Sequence, residues 1–107
     1  MTSCWLAQFA GADRRTCRGR LVRAHLISRD QLRKRFGRER GDELAEDPAT
    51  FVLACGGLTG LEGHHGMFDH YQLRVPASAL PQATVQFAEA HDLTGWLERY
   101  YGPLRST

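Results

Sequence analysis

The stretch FVLACGGLTGLEGHHGMFD, residues 51–69, carries most of what the sequence says about this chain. Phe51–Cys55 is an apolar run of strand length that ends at glycine. Glycines 56, 57, 60 and 63 make the next eight residues a loop with few side chains. Residues 64–71 then read as a short helix. Glycine density of this kind lets a long loop fold back, which would bring His64 beside Cys55. The loop is not a nucleotide phosphate loop, because no Gly-Lys-Ser/Thr follows it. A glycine-rich loop that contacts substrate through its backbone is the plainer alternative.

Upstream, Arg20–Ile27 (RLVRAHLI) reads as a strand able to pair with 51–55 as an antiparallel hairpin with a long connection. Ser28 and Gln31 fit the first and last positions of a capping box. The helix they open runs through QLRKRF to a stop at Gly37. Residues 38–50 are mostly charged and contain Asp47-Pro48, and they read as a mobile loop. Cys4–Phe9 reads as a short strand and residues 11–15 as a turn. Downstream, Gln72–Val75 is a candidate strand, and Pro81 suits the first turn of a helix over about Leu80–Ala90. Leu80, Ala83, Phe87, Ala88 and Ala90 are its candidate apolar positions. Thr94 is the expected cap of a final helix over Gly95–Tyr101, ended by Gly102-Pro103, with Trp96, Leu97 and Tyr100 turned to the core. The fold class is therefore α+β.

A length of 107 residues fits one domain, with a core small enough that a metal staple would help it. The opening residues carry no basic stretch ahead of their short apolar run, which argues against a signal sequence. No segment approaches the roughly 20 apolar residues of a membrane span. The expectation is a cytoplasmic protein without membrane partners. Three cysteines and five histidines in a reducing compartment favour thiols and metal binding over a disulfide frame. Small buried apolar thiols are the alternative.

The net charge of +2 conceals an asymmetry. Residues 14–40 hold eleven basic residues against two acidic ones, a local excess of +9, and the remainder of the chain is acidic. Ten of the eleven are arginine, which grips phosphate oxygens two at a time. Such a segment suits a polyanionic partner. A solvated helix face balanced by the acidic run Asp42–Asp47 is the alternative.

Three groups of residues carry candidate chemistry. His65 and Asp69 are spaced to share one helix face and hold a divalent cation such as manganese, nickel, zinc or magnesium; a plain surface pair has the same spacing. His70 is a less well-spaced alternative ligand. His25, near the end of its strand among Arg20, Arg23 and Arg29, has the chemistry of a general base; a hydrogen-bonded core histidine is the alternative. Cys4, Cys17, Cys55 and His64 supply four zinc-type ligands, although their spacings exceed those of an ordinary zinc knuckle.

The order of RGRLVRAHLIS, a basic helix, and DPATFVLACGG followed by GHHGMFD resembles the HNH endonucleases of the ββα-metal type, small phage-encoded ones in particular. The resemblance covers about Cys4 to Asp69. It implies a ββα-metal core, an antiparallel hairpin plus helix, with a zinc-stapled N-terminal part. Residues 1–75 would form that core and 76–107 a helical extension of the same domain. It implies His25 as the base, and His65 and Asp69 as ligands of the catalytic cation. Cys4, Cys17 and Cys55 match three positions of a family zinc cage, with His64 where a fourth cysteine is expected. Two positions depart from the pattern: Ala24 replaces a frequent metal ligand, and Thr50 stands where the middle asparagine orients the base. Double-stranded DNA is the implied substrate, with Arg20, Arg23, Arg29, Arg33 and Lys34 as its contacts. A phage large terminase is an implied partner, and the host cytoplasm the implied setting. The expected function is metal-dependent DNA endonuclease. The alternatives are a weak or inactive zinc-stapled DNA-binding module, and a protein-interaction domain docking through Trp96, Tyr100 and Tyr101.

Overall fold

Strand β1 (Leu21–His25) pairs with strand β2 (Phe51–Cys55) in an antiparallel two-stranded sheet, as the apolar runs imply. The computed structural model describes residues 4–9, 17, 19–59, 62–70 and 73–104. The sheet is bracketed by the Gly56 N–H donating to the Arg20 carbonyl (3.0 Å) and the Leu26 N–H donating to the Thr50 carbonyl (2.8 Å). In this register Phe51 faces His25, their rings 5.5 Å apart. Leu26 and Ile27, expected to extend β1, instead bend away and are buried.

Helix α1 (Arg29–Phe36) begins as its sequence signal requires: the Ser28 hydroxyl accepts the Gln31 N–H at 3.1 Å. Asp30 in its first turn and Arg33, Lys34 and Arg35 in its last suit the helix dipole. Gly37 ends it at φ +88° and donates its N–H to the Arg33 carbonyl. The chain does not then become a loop. Helix α2 (Arg38–Ala45) follows at once, and Pro48–Thr50 forms a 3-10 turn in which Asp47 Oδ1 accepts the Ala49 N–H. The charged composition of 38–50 hides a narrow buried stripe, Gly41, Leu44 and Ala45. Gly41 is what lets α2 lie close against α1: a Cβ there would come within 2.6 Å of Arg33 backbone atoms.

Helix α3 (Gly63–Asp69) follows β2. The expected strand at 72–75 does not form over its described part; residues 73–75 are irregular, with Leu73 and Val75 buried. Cys4–Phe9 is likewise no strand: Trp5–Phe9 is a 3-10 turn that buries Leu6. The turn expected at 11–15 lies outside the described residues. Helix α4 (Gln82–Ala90) follows Pro81. Thr84, rather than Ala83, is buried beside Phe87 and Ala88, because its hydroxyl donates to the Ala49 carbonyl at 2.6 Å. Helix α5 (Thr94–Tyr101) starts one residue earlier than expected, with Leu93 rather than Thr94 at the cap, and stops at Gly102 (φ +104°). Tyr101 takes the core position expected of Tyr100, its hydroxyl donating to the Leu26 carbonyl. Tyr100 is 41% exposed. No described helix is long and apolar enough to cross a membrane.

The chain divides into two compact units, one comprising Met1–Ala24 and Val52–Val75, the other His25–Phe51 and Pro76–Thr107. Residues 25–51 thus group with the C-terminal helices. Among the described residues, the first unit buries Leu6, Ala24, Ala54, Phe68, Leu73 and Val75 together with Cys4, Cys55 and His64. The second is built on Leu26, Ile27, Leu32, Leu44, Phe87, Leu93, Leu97 and Tyr101.

The closeness of α1 and α2 makes Gly41→Ala destabilising by about 1–3 kcal/mol in urea unfolding, despite alanine's better helix propensity. Gly95→Ala on α5 is the contrast. Its nearest neighbour would be an arginine side chain at 3.5 Å, so it is expected to leave stability unchanged or raise it by up to about 1 kcal/mol.

Candidate metal centre

Cys55 ends β2 and His64 is the second residue of α3, so the loop between them must reverse the chain within a short span. Glycine makes that reversal feasible. Gly57 and Gly63 both have positive φ (+69° and +61°), and a Cβ on Gly63 would lie 2.7 Å from the Cys55 carbonyl oxygen and 2.9 Å from its sulfur. The turn therefore presses α3 against the end of β2. The expected approach of His64 to Cys55 is present: His64 Nδ1 lies 3.1 Å from Cys55 Sγ.

The same nitrogen lies 3.5 Å from Cys4 Sγ and 3.7 Å from Cys17 Sγ. All four ligand atoms fall within 4.8 Å of one another. Tetrahedral zinc with ordinary zinc–sulfur and zinc–nitrogen bonds would separate sulfur from nitrogen by about 3.6 Å. Cys4, Cys17, Cys55 and His64 therefore fit a Cys3His metal site, with Nδ1 as the imidazole ligand. Two buried thiols have backbone donors suited to a thiolate: the Cys55 N–H reaches Cys4 Sγ at 3.3 Å, and the His64 N–H reaches Cys55 Sγ at 3.2 Å. His64 is 1% exposed and its Nε2 has no hydrogen-bond partner among the described residues.

Crowding against the other two sulfurs disfavours the charged form of Cys17. The Cys17 sulfur is pushed up to about 11, first by loss of solvent, then by hydrogen bonding to Cys55 and repulsion from Cys4 and Cys55. A divalent cation reverses that balance by neutralising the thiolates.

His25, the last residue of β1, directs Nε2 at the Ala45 carbonyl, 2.8 Å away. A carbonyl only accepts, so Nε2 carries a proton, and the neutral tautomer that keeps this bond has its lone pair on Nδ1. Buried Thr50 addresses the same carbonyl at 3.2 Å while donating to the Asp47 carbonyl at 2.7 Å. The acceptor that orients His25 is thus a main-chain atom, for which the sequence carries no residue-type signal. Ala24 is fully buried and has no ligating atom.

His65 and Asp69 stand one turn apart on α3, His65 half-buried and Asp69 exposed. His70 hydrogen-bonds through Nδ1 to the Gly66 carbonyl of its own helix. The arginine segment meets local counter-charges. Arg33 Nε lies 2.6 Å from Asp42, which holds that carboxyl below its usual range. Arg29 reaches Glu46 at 3.2 Å and Asp42 at 3.8 Å, and Lys34 reaches Asp30 at 3.3 Å. Arg20 and Arg23 are exposed. No protein-family model matches the chain, and searches of curated proteins and of solved structures found no match.

Zinc titration is expected to load about one ion per chain and, near neutral pH, to release about three protons, because the metal displaces thiol protons. Affinity should fall as pH drops. Calorimetry in buffers of different ionisation enthalpy reads both quantities. Gly63→Ala is expected to weaken zinc binding by at least about tenfold, since the added methyl strikes Cys55.

Proposed function

We propose that the chain is a zinc-stapled, metal-dependent DNA endonuclease of the HNH, ββα-metal type, acting in the cytoplasm. In this proposal β1, β2 and α3 are its ββα element. The observation that carries it is the hydrogen bond from His25 Nε2 to the Ala45 carbonyl. It orients the imidazole and puts the lone pair on one defined nitrogen, as a general base requires. The same carbonyl dipole would stabilise the imidazolium formed when Nδ1 takes a proton from water.

His65 and Asp69 would hold the catalytic cation, whose contribution is to polarise the phosphodiester and stabilise the leaving oxygen. Arg20 and Arg23, both exposed, would contact the backbone of double-stranded DNA. Cys4, Cys17, Cys55 and His64 would hold a zinc that ties the N-terminal segments to β2 and α3 and takes no part in the chemistry.

A second reading has its own support. Ala24 supplies no ligand, and the Thr50 hydroxyl is directed at the Ala45 and Asp47 carbonyls. A zinc-stapled nucleic-acid-binding module without catalysis would have both features.

A supercoiled-plasmid assay with magnesium, manganese, nickel or chelator separates the two. The nuclease proposal expects metal-dependent nicking that falls at least about 100-fold in His25→Ala and is also lost in His65→Ala. Equal cutting by His25→Ala would remove the assigned base. Failure of folded, zinc-loaded parent protein to cut with any of the three ions, while binding DNA in a salt-sensitive manner, would leave the binding module.

A further inference from the structure

The four residues of the metal centre are unequally protected. Cys4, Cys55 and His64 are buried, whereas Cys17 is exposed. The approaches of Cys4 and Cys55 to His64 are buried, and that of Cys17 is only partly so. The sulfurs differ electronically as well. Cys4 Sγ and Cys55 Sγ each accept a backbone N–H, while among the described residues no backbone donor reaches Cys17 Sγ. A hydrogen bond to a thiolate draws off electron density and lowers its nucleophilicity, and burial excludes the attacking reagent. Both factors single out the same residue.

We propose that Cys17 is a covalent modification site for electrophiles and peroxides, and that its reaction opens the metal centre. The proposal rests on the reading of Cys4, Cys17, Cys55 and His64 as zinc ligands. With a soft electrophile such as a maleimide, the Cys17 thiolate bonds to one alkene carbon, the π bond breaks, the other carbon takes a proton from water, and the metal is left with three protein ligands. With hydrogen peroxide, the thiolate attacks one oxygen and breaks the O–O bond. The Cys17 sulfur becomes a sulfenic acid, and the departing hydroxide takes a proton to become water. A neighbouring thiolate, from Cys4 or Cys55, then attacks that sulfur and displaces a second hydroxide, which also takes a proton. The net change is two thiolates, one peroxide and two protons giving one disulfide and two waters. Two electrons pass from sulfur to peroxide. The cation loses two of its four ligands and is released.

The test starts from metal content, measured on purified protein and after zinc loading. Zinc-loaded protein is then treated with substoichiometric N-ethylmaleimide, and the three cysteines are followed by peptide mass spectrometry. Cys17 is expected to label at least about tenfold faster than Cys4 or Cys55. Hydrogen peroxide is expected to release zinc to a chromogenic chelator, with reductant and added zinc restoring the loaded state. Cys17→His, which keeps a ligand but removes the exposed sulfur, is expected to slow peroxide-driven release by about tenfold or more. Loaded protein whose cysteines label at equal rates, or at Cys4 or Cys55 first, overturns the proposal and leaves the zinc site standing. Protein that binds no zinc overturns both.

Discussion

Three sulfurs converge on one imidazole nitrogen, and most of the first unit is arranged to permit that approach. The groups come from positions 4, 17, 55 and 64, so the cluster closes long stretches of chain. Among the described residues, the apolar core of this unit consists of Leu6, Ala24, Ala54, Phe68, Leu73 and Val75. A core of that size gives limited stabilisation, and a metal centre is a common remedy in small folds. Left without a cation, the cluster forces three thiols together against one buried imidazole nitrogen. The arrangement makes energetic sense as a ligand set and little sense as ordinary packing.

The backbone accommodates this cluster in specific places. Gly63 turns the chain where any side chain would strike Cys55. Gly19 and Gly57 form a bridge in which a Cβ on Gly19 would collide with the Gly57 backbone. The amides of Cys55 and His64 then point at sulfur. One tight reversal thus sets the ligand geometry, backbone hydrogen bonds to two sulfurs, and the start of α3.

The second unit is governed by charge and by a carbonyl. Asp42 and Glu46 on and after α2 face arginines of α1, so much of the basic excess is matched inside the unit. Exposed pairs of this kind contribute about 0–1 kcal/mol each, and a phosphate backbone can compete for the same guanidinium groups. The Ala45 carbonyl, presented at the end of α2, is shared by His25 and Thr50. The orientation of a candidate base therefore depends on a helix that the charged composition of 38–50 concealed.

Features legible in the sequence were those encoded within a few neighbouring residues. The Ser28–Gln31 cap, the stop at Gly37, the apolar runs of β1 and β2 and the glycines around His64 each act through local backbone geometry or short hydrogen bonds. The Cys3His residues could be named as candidate ligands, because thiol and imidazole are distinctive chemistry even at irregular spacing. What stayed hidden depended on distant partners. Helix α2 exists because Gly41 lets it lie against α1 and Asp42 meets Arg33, neither of which a local pattern displays. Tyr101 replaces Tyr100 in the core because its hydroxyl finds the Leu26 carbonyl, 75 residues away in sequence. Trp5–Phe9 coils instead of pairing, and buries Leu6 against the first unit. Residue type and short-range geometry are properties of the chain itself, whereas a partner for a carbonyl, a methyl or a guanidinium exists only once remote segments have packed.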